Sequence, residues 1–239
     1  MITITNLNKS YKKNHVLRDI NLELPQSGIV ALLGPNGSGK TTLLKCFLGM
    51  VLADSGDLVF DGRSVLGQYE YRAKVSYLSQ IARFPENLTA RELISLMKEI
   101  KPGETREANF IKVFNLEKEL DKKMGSLSGG TRQKVNITLA LMHDDPLIIL
   151  DEPSTGLDPL SLQELKKFIL KERERGKLIL ITTHILSLAE DLADDILFLL
   201  EGDIYFNGSL KDLLNDQGEN NLENAIAHIL RSTKEYSHA

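Results

Sequence analysis

The 239-residue chain has no tryptophan and a single cysteine, Cys46. One thiol forms no internal disulfide, which excludes a disulfide-stapled scaffold and fits a reducing compartment. A basic surplus is also missing: 29 lysines and arginines face 33 aspartates and glutamates, a net charge of −4. Nucleic-acid binders carry a basic excess or stripe, so no nucleic acid is expected as a partner. No apolar run approaches the roughly 18 residues of a membrane-spanning helix. The opening "MITITNLNKSYKKN" lacks the apolar core of a secretory signal. Work at a membrane therefore requires spans supplied by another subunit. Internal repeats and low-complexity linkers are absent as well. What remains is ordinary globular composition, 42 % hydrophobic and 26 % charged, with length for one large domain or two small ones.

The first third reads as β-rich. Apolar residues alternate over Ile2 to Leu7 and Leu17 to Leu24, and Gly28 to Leu33 is a continuous apolar run suited to a buried parallel strand. Gly56 to Gly62 and Lys74 to Leu78 read as further strands. Thr89 with Glu92 fits a capping box opening a helix that carries Leu93, Leu96 and Met97. Pro102-Gly103 breaks that helix, residues 105 to 120 read as helical again, and another helix is expected from Gly130 towards His143. The last third alternates: strand Leu147 to Leu150, helix 159–175, strand Leu178 to Thr182, a helix from Ile185, and strands Ile196 to Leu200 and Asp203 to Phe206. From Gly218 the chain reads as a polar tail with one weak helix. Cys46, among Leu43, Leu44, Phe47 and Leu48, reads as a small buried apolar residue.

Two stretches look like phosphate cradles. "GPNGSGKT", Gly34-Pro35-Asn36-Gly37-Ser38-Gly39-Lys40-Thr41, matches G-x-x-x-x-G-K-[ST] between an apolar strand and a helix, with Thr42 following. Its glycines let backbone N–H groups converge on phosphates, Lys40 adds a point charge, and the Thr41 hydroxyl suits Mg²⁺. A buried strand, "LIIL", ends in Asp151-Glu152, which places Asp151 to hold Mg²⁺ and Glu152 to deprotonate an attacking water. The second cradle is "SLSGGTRQKV": a serine and two glycines, Ser128, Gly129 and Gly130, lead into a helical pattern.

In order and spacing, "GPNGSGKT", "LSGGTRQ", "LIILDEP", "STGLD" and His184 resemble the nucleotide-binding domain of ATP-binding-cassette (ABC) proteins over about residues 1 to 210. The resemblance implies an α/β fold: a P-loop NTPase core of the ABC type, an N-terminal antiparallel β-subdomain and an inserted helical subdomain at about 81–143. The nucleotide-binding domain would cover 1–217 and the tail 218–239. It also implies two chains packed head to tail around two ATPs, so that Ser128, Gly129 and Gly130 hold the γ-phosphate bound by the partner's P-loop. Tyr11 then matches the adenine-stacking aromatic. Gln80 matches the residue that senses Mg²⁺ and the attacking water, Asp158 the loop that crosses the dimer interface, and His184 the γ-phosphate switch. Thr131 stands where the family most often has glutamine, and Ser79 where proline often precedes Gln80; neither change removes a phosphate contact.

Further implications are ATP and Mg²⁺ as cofactors, ATP hydrolysis, a second ATPase subunit in a homodimer, and a separate transmembrane permease. The chain would then be cytoplasmic, peripheral on the inner face of the membrane. Phe84-Pro85 and Leu88 read equally as permease-docking or as packing residues. The compact form is similar to exporter-type subunits, and among them to the ATPase of the copper-linked complex that matures nitrous-oxide reductase. His228 and His238 are not taken as copper ligands. A soluble ABC ATPase working in macromolecular or metal-cluster assembly is the alternative.

Overall fold

The computed structural model describes residues 2–237, with side chains to residue 232. Two compact units are present, Met1–Tyr69 with Leu180–Ala239, and Glu70–Ile179.

The first unit opens with β1 (Ile2–Tyr11) and β2 (Asn14–Leu24), joined by a two-residue turn in which Lys12 has a φ of 56°. Next come β3 (Gly28–Leu33), α1 (Lys40–Phe47), β4 (Ser55–Phe60) and the short β5 (Arg63–Ser64). An antiparallel sheet runs β2-β1-β4-β5. Its register sets Ile2 opposite Leu24 and Phe60, and Ile4 opposite Leu22 and Leu58, all buried. The period-2 alternation thus becomes one apolar face.

In the second unit, β6 (Val75–Leu78) is followed by α2 (Ala90–Ile100), α3 (Glu107–Val113), α4 (Gly129–Leu141), β7 (Leu147–Asp151) and α5 (Pro159–Glu174). β6 and β7 pair in parallel from Val75↔Leu147 to Leu78↔Leu150. The capping box at Thr89 forms as expected: the Thr89 N–H donates to Glu92 Oε2 at 2.8 Å and the Glu92 N–H to Thr89 Oγ1 at 3.2 Å. The buried face of α2 is Ala90, Leu93 and Ile94, and Leu96 is exposed, so the apolar stripe is rotated from the expected one. The helix expected over 105 to 120 is shorter. It ends at Phe114 because Asn115 turns left-handed, with a φ of 53°.

Within this unit, polar ties link the 81–143 stretch to its flanks. Ser76 Oγ and Lys101 Nζ both donate to Asp145, at 2.8 and 2.6 Å. Glu172, 1 % exposed, accepts from Arg106 and Arg175 at 2.9 Å each and pairs with Lys177. Burial alone would raise its carboxyl pKa, but these cations outweigh burial and hold it low.

The chain re-enters the first unit within β8 (Leu178–Thr182), then forms α6 (Leu186–Leu192), β9 (Asp195–Leu200), β10 (Asp203–Ser209), α7 (Leu210–Gln217) and α8 (Leu222–Ser237). β3 pairs in parallel with β9, and β10 closes that edge antiparallel. The sequence reading missed α7, which is capped by the Ser209 side chain at Asp212 N–H. Residues 218–232 of the stretch read as a polar tail are an integral part of this unit. Leu222, Ala225, Ile226 and Ile229 are buried with Ala31, Leu33, Phe198 and Leu213. His228 Nδ1 lies 3.3 Å from the Gln217 carbonyl oxygen, and His238 falls outside the described residues. Among the described residues, no helix is long and apolar enough to cross a membrane.

Candidate functional site

The first cradle is a tight loop on a buried strand. Five residues of β3, Ile29 to Leu33, are buried, and Gly34 leaves the strand with a φ of 146°. A Cβ on Gly34 would lie 2.1 Å from the Leu199 carbonyl oxygen, and one on Gly39 (φ 108°) 2.8 Å from Leu17 Cδ2 and 2.9 Å from the Val16 carbonyl oxygen. Only glycine fits at either position. The Lys40 ammonium donates to the Gly34 and Pro35 carbonyl oxygens at 2.8 and 3.0 Å, which holds it across the loop. Gly39 gives α1 no side-chain cap, and the first turn of α1 has no acidic residue. Its N–H groups are thus left for an anion. Ser38 is 3 % exposed and its Oγ has no hydrogen-bond partner. An orphaned hydroxyl inside a loop of N–H donors fits a phosphate ligand.

Tyr11 and His184 belong to the same unit. Tyr11 ends β1, is 46 % exposed, and has the Lys9 ammonium 5.5 Å from its ring centroid. Its hairpin carries Val16 and Leu17, the residues that abut Gly39. His184 is exposed just after β8, a neighbour of β3 in the sheet. Cys46 on α1 is buried, as expected, and burial pushes its thiol up to about 11, so it stays protonated and inert.

The second unit holds the other site residues. The parallel register Leu78↔Leu150 brings the ends of β6 and β7 side by side, so Gln80 and Asp151-Glu152 emerge from adjacent strands. Asp151 and Glu152 are 4 % and 8 % exposed, and Glu152 has a φ of 52°. A left-handed glutamate costs about 1–3 kcal/mol. Ser154 Oγ, two residues on, is buried without a hydrogen-bond partner, as Ser38 is.

Ser128 caps α4. The Thr131 N–H donates to its Oγ at 3.2 Å, and the two hydroxyl oxygens are 2.8 Å apart. The departure at Thr131 therefore supports the signature serine directly. Ser128 and Gly129 are exposed, and a Cβ on Gly129 would meet nothing within 4 Å. Asp158 caps α5 through the Ser161 N–H at 2.9 Å and pairs with Lys134 of α4 at 2.7 Å. The Lys134 ammonium, then the Ser161 donors, hold its carboxyl far below the usual carboxylate range. Asn136, also on α4, donates to the Ser79 carbonyl oxygen at 3.3 Å, just before Gln80. Sequence reasoning missed Lys134 and Asn136. Their partners, Asp158 and Ser79, lie 24 residues further on and 57 residues back, so no local spacing marked them.

Phe84 and Leu88 are half-buried, whereas Pro85 is exposed and Ile81 is 72 % exposed. The Met124 and Gly125 N–H groups donate to the Leu88 and Glu86 carbonyl oxygens at 2.8 and 3.0 Å. Phe84 and Leu88 are thus partly packed within the chain.

Residues 17–155 match the family model described as ABC transporter. The lipopolysaccharide export system ATP-binding protein LptB of Haemophilus influenzae is 36 % identical over 226 residues, 91 % of this chain and 94 % of that one. The lantibiotic transport ATP-binding protein SrtF of Streptococcus pyogenes is 35 % identical over 227 residues, 91 % and 97 % of the two chains. Among solved structures, an ATP-binding subunit of an ABC transporter superposes with a TM-score of 0.89 at 28 % identity, covering 96 % of this chain and 99 % of that one. A dimeric post-hydrolysis state of the cassette MJ0796, bound to ADP and Pi, superposes with a TM-score of 0.76 at 26 % identity, covering 88 % and 99 %. The copper-linked resemblance gains no support from these relatives.

Proposed function

This chain belongs to the ABC transporter family as an ATP-binding, ATP-hydrolysing subunit, and on that premise we propose how its residues divide the work. A second copy packs head to tail against it, and each ATP lies between the P-loop Gly34–Thr42 of one copy and Ser128, Gly129 and Gly130 of the other. The contrast that carries this reading is one buried cradle with an orphaned Ser38 hydroxyl and one open cradle with nothing over Gly129. The names of LptB and SrtF, and the dimeric MJ0796 cassette, support a partnered transport subunit. A separate transmembrane permease receives the motion, holding the chain at the inner face of the membrane. A soluble assembly ATPase is not favoured by these relatives.

The P-loop N–H groups and Lys40 bind the β- and γ-phosphates, and Tyr11 stacks on the base. Mg²⁺, when bound, neutralises phosphate charge; Thr41, Asp151 and Gln80, an oxygen-donor set suited to a hard cation, would hold it. Glu152 takes the proton of the attacking water, and His184 contacts the γ-phosphate. Asp158 holds the interface loop through its cap and Lys134.

Moving a dimer from 1 % to 99 % closed takes about 5.5 kcal/mol, or about 2.7 per ATP. A charge-assisted hydrogen bond from Ser128 or a nearby N–H supplies about 1.5–3 kcal/mol. Cleavage removes the bridging phosphate and the closed state loses its support. Glu152→Gln should lower turnover about 10²–10⁴-fold and accumulate an ATP-dependent dimer in light scattering. An ATP-insensitive monomer would sink the head-to-tail reading. The permease is tested separately by purifying that variant from membranes with Mg-ATP; recovery of soluble proteins alone would remove the transport partner.

A further inference from the structure

A second concave site lies in the Glu70–Ile179 unit, between α3 and α5, with a volume of about 560 Å³. That size falls within the range of about 300–1,000 Å³ typical of small-molecule sites. Phe110 and Phe114 are buried in its wall, and Phe168 packs on Phe110 with ring centroids 5.0 Å apart. Five cations line the same groove: Arg106, Lys112, Lys167, Lys171 and Arg175.

The acids there are already engaged. Glu164 pairs with Lys167 at 2.6 Å, and Glu172 accepts from Arg106 and Arg175. Lys112 and Lys171 have no ion-pair partner among the described residues. By contrast, Lys122 and Lys98, elsewhere in the same unit, each sit on a glutamate. Arg106 stacks over Phe168 at 5.1 Å, and its Nε is buried without a hydrogen-bond partner. Lys112 and Lys171 are exposed and hydrated as they stand, whereas the orphan Arg106 Nε is costly, and an anion seated between them would satisfy that donor. The net charge of −4 makes this concentration of positive charge a local feature.

We infer that the α3–α5 groove is a binding site for a small amphipathic anion, whose apolar body rests on Phe110, Phe114 and Phe168 and whose acid group meets Lys112, Lys171 and Arg106. None of these residues belongs to either phosphate cradle, so a ligand here and ATP do not compete for the same residues.

The probe is 8-anilinonaphthalene-1-sulfonate, an aromatic body with one sulfonate, titrated by fluorescence into the full chain saturated with a non-hydrolysable ATP analogue. Saturable binding of one equivalent is expected, weakened at least tenfold in Lys112→Glu/Lys171→Glu. N-phenyl-1-naphthylamine, which lacks the sulfonate, should bind wild type at least tenfold more weakly and ignore the charge reversal. Val113→Trp, which fills the groove without changing charge, should abolish binding while the thermal midpoint is retained. Equal affinity in the charge-reversed protein overturns the proposal, as does probe binding to the nucleotide-free chain that is lost once the ATP analogue is added. So does charge-sensitive binding of an acidic amphipathic peptide with no binding of the sulfonate, because the groove would then be a protein-docking surface.

Discussion

The two phosphate cradles have similar sequences and opposite surroundings. In the first, Gly34 and Gly39 are pressed against Leu199, Val16 and Leu17, and a Cβ at either would overlap its neighbours. In the second, Ser128 and Gly129 face solvent, the space beyond Gly129 is empty, and the serine hydroxyl is already held by Thr131. A glycine in the first cradle is needed for the fold itself. In the second, Gly129 has no such neighbour, although a Cβ on Gly130 would lie 3.0 Å from the Gly156 carbonyl oxygen. One cradle is finished within the chain, and the other has the form of half a site.

Alanine at matched positions is the strongest way to break that contrast. Gly34→Ala must accommodate an overlap at a φ of 146°, and should cost about 3 kcal/mol or more. In a chain of this size that lowers Tm by roughly 6–12 °C, with nucleotide binding lost by calorimetry. Gly129→Ala should leave Tm within about 2 °C and retain ATP binding, while turnover falls about 10²-fold because the methyl blocks the phosphate. If Gly129→Ala unfolds the protein, the second cradle is not open in the sense described.

A smaller effect tests what stiffens the second cradle. Asp158→Ala removes the α5 cap and the Lys134 pair, and should cost about 1 kcal/mol in chemical denaturation. Asp158→Asn keeps a good cap and should recover most of that loss. Because the folded-state pKa of Asp158 is depressed, its contribution is present above the unfolded value of about 4 and is lost as pH falls below it. The Asn variant should therefore show a flatter acid limb below about pH 4. Smallest of all, Thr131→Val removes the hydroxyl beside Ser128 and should lower turnover about 2–10-fold with the ATP KM little changed. An unchanged turnover would mean that Ser128 needs no such support.

The local geometry of the candidate site strings was legible because each carries its physics locally. "GPNGSGKT" after an apolar run specifies a glycine loop at a helix start, and "LIILDE" a buried strand ending in carboxylates. The Thr89–Glu92 box was legible for the same reason, since capping acts within one turn. Where the reading failed, the deciding interaction came from elsewhere in the chain. Asn115 ends α3 in a left-handed turn while Phe114 and Leu116 are both buried. The C-terminal residues looked polar because only one stripe of α8 is apolar, and that stripe is covered by Leu33 and Phe198 from far earlier in the chain.

The sequence by itself determined the family, the parallel and antiparallel strands, and the residue types of the two candidate cradles. Those features depend on spacing within a few residues, which the covalent chain enforces. Only the tertiary structure decided that one cradle is sealed and the other open. It also decided that Asp158 is clamped by Lys134, and that Arg106, Arg175 and Lys177 converge on a buried Glu172. Burial and charge pairing depend on which distant segments meet, and no local spacing records that.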